Sequence, residues 1–172
     1  MAKKLNTISS NFFLNADVQQ IAKHLLGKII FTNIKGQLTS AIITETEAYQ
    51  GPEDKASHAY NSRRTNRTEV MYQAGGCCYV YLCYGIHYLF NIVTNQKNIP
   101  HAILIRSGQV HSGVEYITER RGSNIKYSKL LNGPGNFSKG LGINKHLNGV
   151  ALNTEYIWIE YNNIEFTIKS AP

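Results

Sequence analysis

Two glutamates and a tyrosine alternate near the end of one strand-like run. The run is SAIITETEAYQ, and it places Glu45, Glu47 and Tyr49 at every second position. Side chains of a β-strand alternate between faces, so these three share a face with two apolar residues before them, Ala41 and Ile43. Charges on a buried face need partners. The pattern therefore indicates either an edge strand with a solvated outer face or an active site that uses a carboxylate.

A long polar loop follows this run and favours the active-site interpretation. The segment from Gln50 to Gly76 has almost no apolar periodicity, and loops of that length inside a domain are usually functional or mobile. It carries three arginines, Arg63, Arg64 and Arg67, which either grip phosphates or belong to a solvated basic loop.

Two β-rich runs, CCYVYLC and HYLFNIVTN, flank Tyr84 and Gly85. Glycine permits the backbone of a tight turn, so the segment predicts a hairpin with Tyr84 at its tip. An aromatic ring at that place is either a wedge between base pairs or a ring that folds back onto the sheet. Asn91, in the apolar second arm, is either a buried, hydrogen-bonded structural residue or part of a polar pocket.

The elements around these residues must hold them in place. A turn at residues 33–37 predicts a hairpin between a strand at 28–31 and the acidic strand. The run HAILIR predicts another strand, which ends in Arg106. Further predicted elements are a helix at 15–27, a helix that a capping box opens at Ser112 and Gly122 ends, a short helix beginning at Pro134, and a strand at 156–159.

Composition predicts one globular domain of 172 residues, 1–172, with a flexible N-terminus at 1–14. The net charge of +7 suits a polyanionic partner such as nucleic acid better than a membrane surface. The N-terminus lacks the apolar region of a signal peptide, so a cytoplasmic protein is expected. The three cysteines fit no disulfide or zinc pattern, which indicates reduced, packing thiols.

Four blocks of the sequence, in order and spacing, carry a resemblance to a known family. They are TETEAYQGPEDKASH, YVYLCYGIHYLFN, AILIR and NGPGNFSKGLGIN, and the similarity extends from about residue 27 onward. Together they resemble the alkyladenine (3-methylpurine) DNA glycosylases of base-excision repair. The resemblance implies a mixed α+β domain with a curved antiparallel sheet flanked by helices. It also implies that no metal or other cofactor is needed, and that a monomer acts on double-stranded DNA containing damaged purines.

Carried over by position, the resemblance assigns roles to individual residues. Glu47 matches the general base that activates water against C1′ of a flipped nucleotide, and Arg106 matches the arginine beside it. Tyr84 matches the residue that fills the gap in the duplex. The walls of the base pocket match Tyr49, His58 and Tyr81, with Asn91 as the amide that restricts which purines fit. Glu45 has no catalytic role in that pattern.

The expected reaction is hydrolysis that releases 3-methyladenine, 7-methylguanine, hypoxanthine or ethenoadenine. These motifs offer no candidate lysine for Schiff-base chemistry, so strand cleavage is not expected. A zinc nucleobase deaminase is excluded because its H-x-E and P-C-x-x-C motifs are absent. The alternative is a catalytically silent module that binds damaged DNA with the same basic surface and tyrosines. In relatives the chain continues beyond the position that matches Pro172 into a closing strand, so the resemblance implies either a shortened form or a sheet that closes differently.

Overall fold

Six antiparallel strands form one curled sheet in this computed structural model, which describes residues 6–162, 164 and 167–171. The strands are β1 (Ile29–Ile34), β2 (Gln37–Tyr49), β3 (Cys78–Cys83), β4 (His87–Thr94), β5 (His101–Ser112) and β6 (Ile157–Glu160), in the sheet order β3-β4-β5-β2-β1-β6. Within the described residues the α-helices are α1 (Val18–Leu25), α2 (Val114–Arg121) and α3 (Pro134–Gly140). The predicted mixed α+β fold with a curved antiparallel sheet and flanking helices is confirmed.

Helix α1 follows the predicted pattern over narrower bounds. The Asp17 side chain accepts the backbone N–H of Gln20 at 2.9 Å and so caps the first turn. The apolar stripe is buried and consists of Val18, Ile21, Ala22 and Leu25. Because that stripe packs on the sheet, α1 covers one face of it.

The capping box predicted for α2 is wrong, although the predicted end at Gly122 is confirmed. Ser112 is the last residue of β5, and its hydroxyl lies 2.6 Å from that of Ser40 on β2. Gly113 precedes the helix instead, with φ of +72° and no side-chain cap. Because the Ser112 hydroxyl is hydrogen-bonded across the sheet, it does not cap the helix that follows.

The sheet buries apolar side chains on both faces. The main core packs Ile43, Phe90, Ile103 and their neighbours against the helices. A smaller cluster lies on the other face, where Ala59, Met71 and Tyr72 of the loop pack on sheet residues such as Val93 and Ala102. The loop from β2 to β3 must pass β5 and β4 in the sheet order, and this cluster shows that it crosses that second face.

The hairpin of β3 and β4 turns where the sequence predicts. Tyr84 and Gly85 both have positive φ, +50° and +71°, as in a type I′ turn. The Tyr84 side chain is 95% exposed, so its ring does not fold back onto the sheet. The hairpin thus presents an aromatic ring to solvent.

The described part of the N-terminal stretch predicted to be flexible contains a 3-10 helix, Ser10–Leu14, with a buried Phe13; residues 1–5 lie outside the described residues. The three cysteines are unpaired, as predicted, and burial raises the pKa of Cys77 to about 11. Within the described residues, no helix combines the length and apolarity that crossing a bilayer requires.

Candidate active site

A register shift in β2 decides where the two glutamates lie. Ile43 pairs with Gly108 and Glu45 with Ser107, but Thr46 already pairs with Ile105, so the ladder skips a residue on each strand. Ile43 is buried in the main core, and beyond the shift the core-facing residue is Ala48. The prediction that Ala41, Ile43 and both glutamates share one face is therefore wrong. The irregularity keeps apolar residues inside while it turns both acids to the opposite face.

Glu47 stands at the end of a row that crosses four strands. The paired positions run from Tyr79 on β3 through Asn91 and Leu104 to Glu47 on β2. Residues paired across neighbouring strands point to the same face. The predicted site residues Glu47 and Asn91 therefore share the face that the loop crosses. Asn91 is buried, and its amide donates to the carbonyl oxygen of Tyr79 at 3.2 Å, which is the hydrogen-bonded interpretation from the sequence.

Arg106 binds both glutamates at once. Its Nε lies 3.0 Å from Glu45 Oε1 and its Nη1 lies 3.1 Å from Glu47 Oε1. Burial lowers the pKa of the Arg106 guanidinium, but the two carboxylates raise it by a larger amount. The pKa of Arg106 therefore lies above its ordinary value. The second oxygen of Glu45 accepts the Ser107 hydroxyl at 2.9 Å. Arg106 is thus held in one orientation, and it neutralises part of the repulsion between the two acids.

The second oxygen of Glu47 faces the predicted pocket residue Tyr49. The Tyr49 hydroxyl donates to Glu47 Oε2 at 2.8 Å. Burial raises the pKa of Tyr49, and the hydrogen bond and charge of Glu47 raise it further, so the phenol stays protonated and remains a donor. The Glu47 side chain is still 44% exposed. It lines a cavity of about 630 Å³ together with Glu45, Tyr49, Asp54 and part of α1, so the carboxylate is reachable from solvent.

Three rings form a compact group on the same face. His58, from the loop, packs edge to face with Tyr81 at 4.6 Å between ring centroids, and Tyr79 lies 5.4 Å from Tyr81. His58 Nδ1 and the Tyr79 hydroxyl are 3.0 Å apart and share a hydrogen bond. Burial lowers the pKa of His58, and the charges of Arg67 and Arg63 lower it further. At neutral pH the imidazole is therefore uncharged.

Tyr81 lies close enough to Glu47 for the carboxylate to affect its ionisation. Burial raises the pKa of Tyr81 to about 12, and the charge of Glu47 contributes to that rise. Tyr79, which sequence reasoning did not single out, carries the hydrogen bond that orients His58. Its signal was available, because it lies two positions before Tyr81 and therefore on the same strand face.

The three loop arginines have different environments. Arg64 forms a two-pronged ion pair with Glu69, at 2.6 and 2.8 Å, and lies over the Tyr72 ring, so it holds the loop together. The Arg67 guanidinium lies over the Tyr81 ring, 4.8 Å from its centroid. Arg63 is exposed at the surface. The three arginines predicted as phosphate contacts or as a solvated basic loop thus lie in three different environments.

No group of three or more histidine, cysteine or acidic side chains in the described ranges is arranged to hold a metal ion. What the face does offer is a reachable carboxylate, a fixed guanidinium and a group of aromatic rings. Aromatic rings can stack on a planar base, and a reachable carboxylate can act as a general base.

Comparison with known proteins identifies the family to which this chain belongs. A family model described as "Methylpurine-DNA glycosylase (MPG)" matches residues 12–172. A Chlamydia felis protein described as "Putative 3-methyladenine DNA glycosylase" is 46% identical over 166 residues, which are 96% of this chain and 86% of that one. Proteins of the same description from Natranaerobius thermophilus and Bacillus cereus are 48% and 40% identical, over 80% and 92% of this chain and 70% and 80% of their own lengths. The chain belongs to the methylpurine-DNA glycosylase family, and it is a DNA N-glycosylase, a hydrolase of N-glycosyl bonds.

Proposed function

We propose that Glu47 is the general base of a base-excision reaction on alkylated or deaminated purines. Glu47 takes a proton from a water molecule, whose oxygen bonds to C1′ while the N-glycosidic bond breaks and the base leaves with its electrons. One observation supports this proposal above all: the Glu47 side chain is half exposed, yet Arg106 and Tyr49 hold its two carboxylate oxygens in place. A carboxylate oxygen accepts more than one hydrogen bond, so each can still accept one from water.

The proposed base site lies on the same sheet face as Glu47 and consists of Tyr49, His58, Tyr81 and Asn91. A target base must leave the duplex to reach it, and extrusion is least costly for a damaged or mispaired base. N-alkylated purines such as 3-methyladenine and 7-methylguanine are cationic, and tyrosine faces attract cations by roughly 0.5 to 2 kcal/mol. Neutral lesions such as hypoxanthine or ethenoadenine gain stacking but lack this charge. Tyr84, exposed at the hairpin tip, would occupy the gap left in the duplex.

The reaction proposed is hydrolysis without strand cleavage. None of the side chains assigned to the base site is a lysine, and an amine nucleophile is what Schiff-base chemistry requires. Treatment with sodium borohydride during turnover should trap no covalent protein–DNA complex. A trapped complex would show that an amine takes part, and the first residue to test would be Lys23, which lines the cavity beside Glu47.

The decisive test is the Glu47→Gln protein on duplexes that carry a single hypoxanthine or 7-methylguanine. Alkaline cleavage of the resulting abasic sites measures base release. The variant should lose about 10²- to 10⁴-fold in rate, as expected for removal of a general base. It should still bind a duplex containing an abasic-site analogue. We expect a steeper loss on hypoxanthine, because a neutral base is the poorer leaving group.

Glu45→Gln is the matched control, because Glu45 lies two residues before Glu47 and its carboxylate binds the same arginine, Arg106. Unchanged release by the Glu47→Gln protein would remove Glu47 from the proposed role. A catalytically silent DNA-binding module would instead bind the abasic duplex while the wild-type protein releases no base. The monomeric state, the single domain and the cytoplasmic location stay predictions.

A further inference from the structure

Arg67 places a flat cation on the ring proposed to receive the base. Its guanidinium carbon lies 4.8 Å from the centroid of the Tyr81 ring, within the range of cation–π contact. Burial raises the pKa of the neighbouring Tyr79 hydroxyl, and both the charge of Arg67 and its hydrogen bond to that hydroxyl oppose the rise, so Arg67 is close to Tyr79 as well. A guanidinium is planar and delocalised, and it stacks on aromatic faces as a flat base does.

Arg67 is held less tightly than Arg64 or Arg106, by the Tyr81 ring and by a hydrogen bond to the neighbouring Tyr79 hydroxyl. Arg64 is fixed by Glu69, and Arg106 by two glutamates. Among the ion pairs of the described residues, none includes Arg67, and its side chain is exposed. A cation–π contact of this kind changes an equilibrium by about two- to thirty-fold, so the guanidinium can leave the ring at a modest cost.

We propose that Arg67 occupies the stacking surface of Tyr81 in the DNA-free protein and moves to a DNA phosphate when a flipped purine enters. The inference rests on the proposed base site. A duplex brings the two things the exchange needs: a flat base for Tyr81, and phosphates that attract a free guanidinium. Every base must displace Arg67 first, so a base that gains little from stacking has a further disadvantage. Arg67 is in this sense a specificity-determining residue.

The proposed exchange has two steps that can be measured separately: Arg67 leaves the Tyr81 ring, and Arg67 binds a phosphate. Free ethenoadenine is a fluorescent purine without a phosphate, so its binding, followed by fluorescence quenching, reports only on the stacking surface. Binding to a duplex with an abasic-site analogue, measured against salt concentration, reports how many phosphates the protein neutralises. The variant is Arg67→Gln. The control is Arg63→Gln, which removes a positive charge four residues earlier in the same loop from a side chain outside the ring contacts.

We expect the Arg67→Gln protein to bind free ethenoadenine about two- to thirty-fold more tightly than wild type. Its salt slope on the abasic duplex should fall by about one phosphate. Arg63→Gln should leave free-base binding unchanged. Arg67→Gln should thus strengthen binding of the free base while it reduces the number of phosphates neutralised. General damage to the fold would weaken both kinds of binding.

Three results would overturn the proposal: free-base binding no tighter in Arg67→Gln than in wild type, an unchanged salt slope, or no binding of the free base by either protein. The proposed function is tested separately, by base release that depends on Glu47. Release that persists while Arg67→Gln behaves as wild type would reject the exchange and keep the glycosylase mechanism.

Discussion

Two arginines on one sheet face are held in opposite ways. Arg106 projects from β5 at the register shift with β2 and is bound by two carboxylates, whereas Arg67 comes from the long loop and rests on an aromatic ring. The strand part of the site therefore has fixed geometry before DNA arrives. The loop part is held by contacts weak enough to be exchanged. Under the proposed function, the contrast separates a catalytic part of the site that needs rigidity from a recognition part that needs adaptability.

Breaking the fixed part should have the largest effect. In Arg106→Gln, Glu47 loses the cation that orients it and faces Glu45 without a partner between them. We expect single-turnover base release to fall on the order of 10²-fold, as for a misplaced catalytic group. Release within threefold of wild type would show that Tyr49 alone positions Glu47.

The exposed hairpin tip tests the recognition part next. Tyr84→Ala should weaken binding to an abasic duplex by about 5- to 150-fold, since stacking on a base contributes about 1 to 3 kcal/mol. The free energy of unfolding should change by less than about 0.5 kcal/mol, because the ring is 95% exposed. Tyr156→Ala is the control, an exposed tyrosine next to β6 at the far end of the sheet. Equal effects of the two substitutions would remove Tyr84 from the duplex.

Glu45→Gln sharpens the distinction within the fixed part. Its carboxylate is half exposed and bonds to Arg106 and Ser107, so its removal should lower the free energy of unfolding by about 0.2 to 1 kcal/mol. The rate of base release should change less than tenfold. Urea unfolding and single-turnover kinetics measure the two quantities. A loss of rate equal to that of Glu47→Gln would show that the two acids act together.

The smallest expected effect is a pH dependence of the ring group. Burial, followed by Arg67 and Arg63, holds the pKa of His58 below its ordinary value of 6.5. As the pH falls through 6.5 the unfolded chain takes up this proton first, so His58 lowers stability progressively until the pH reaches its folded pKa. Urea unfolding between pH 7.5 and 5 should show a smaller loss in His58→Gln than in wild type. Identical profiles would mean that His58 ionises alike in both states.

Local sequence patterns were enough for the hairpins, for α1 and for the place of Tyr84 at a hairpin tip, but they left open whether its ring is exposed. They were not enough for the register of β2, because the skipped residue depends on pairing with β5, about sixty positions away. The capping box failed for a similar reason, since Ser112 bonds to Ser40 across the sheet.

The candidate site divides in the same way. Strand alternation predicts that Glu47 and Tyr49 share a face, whereas the place of Arg106 beside Glu47 was implied only by the family resemblance. The position of Arg67 follows from neither, because the loop has no periodicity and its course is set by the packing of Ala59, Met71 and Tyr72 on the sheet. A basic loop in the sequence predicts affinity for phosphate, but it does not tell which arginine stacks on a ring.

The skipped residue in β2 has a consequence for engineering. Between Ile43 and Glu45, the alternation of side chains between the two faces of β2 shifts by one residue. The residues before the shift and those after it therefore follow different alternation patterns. If all thirteen residues of β2 alternated regularly from Ile43 onward, Glu45 and Glu47 would face the core and Ala48 would face away from it. Anyone who transplants this site to another scaffold must copy the irregularity along with the side chains.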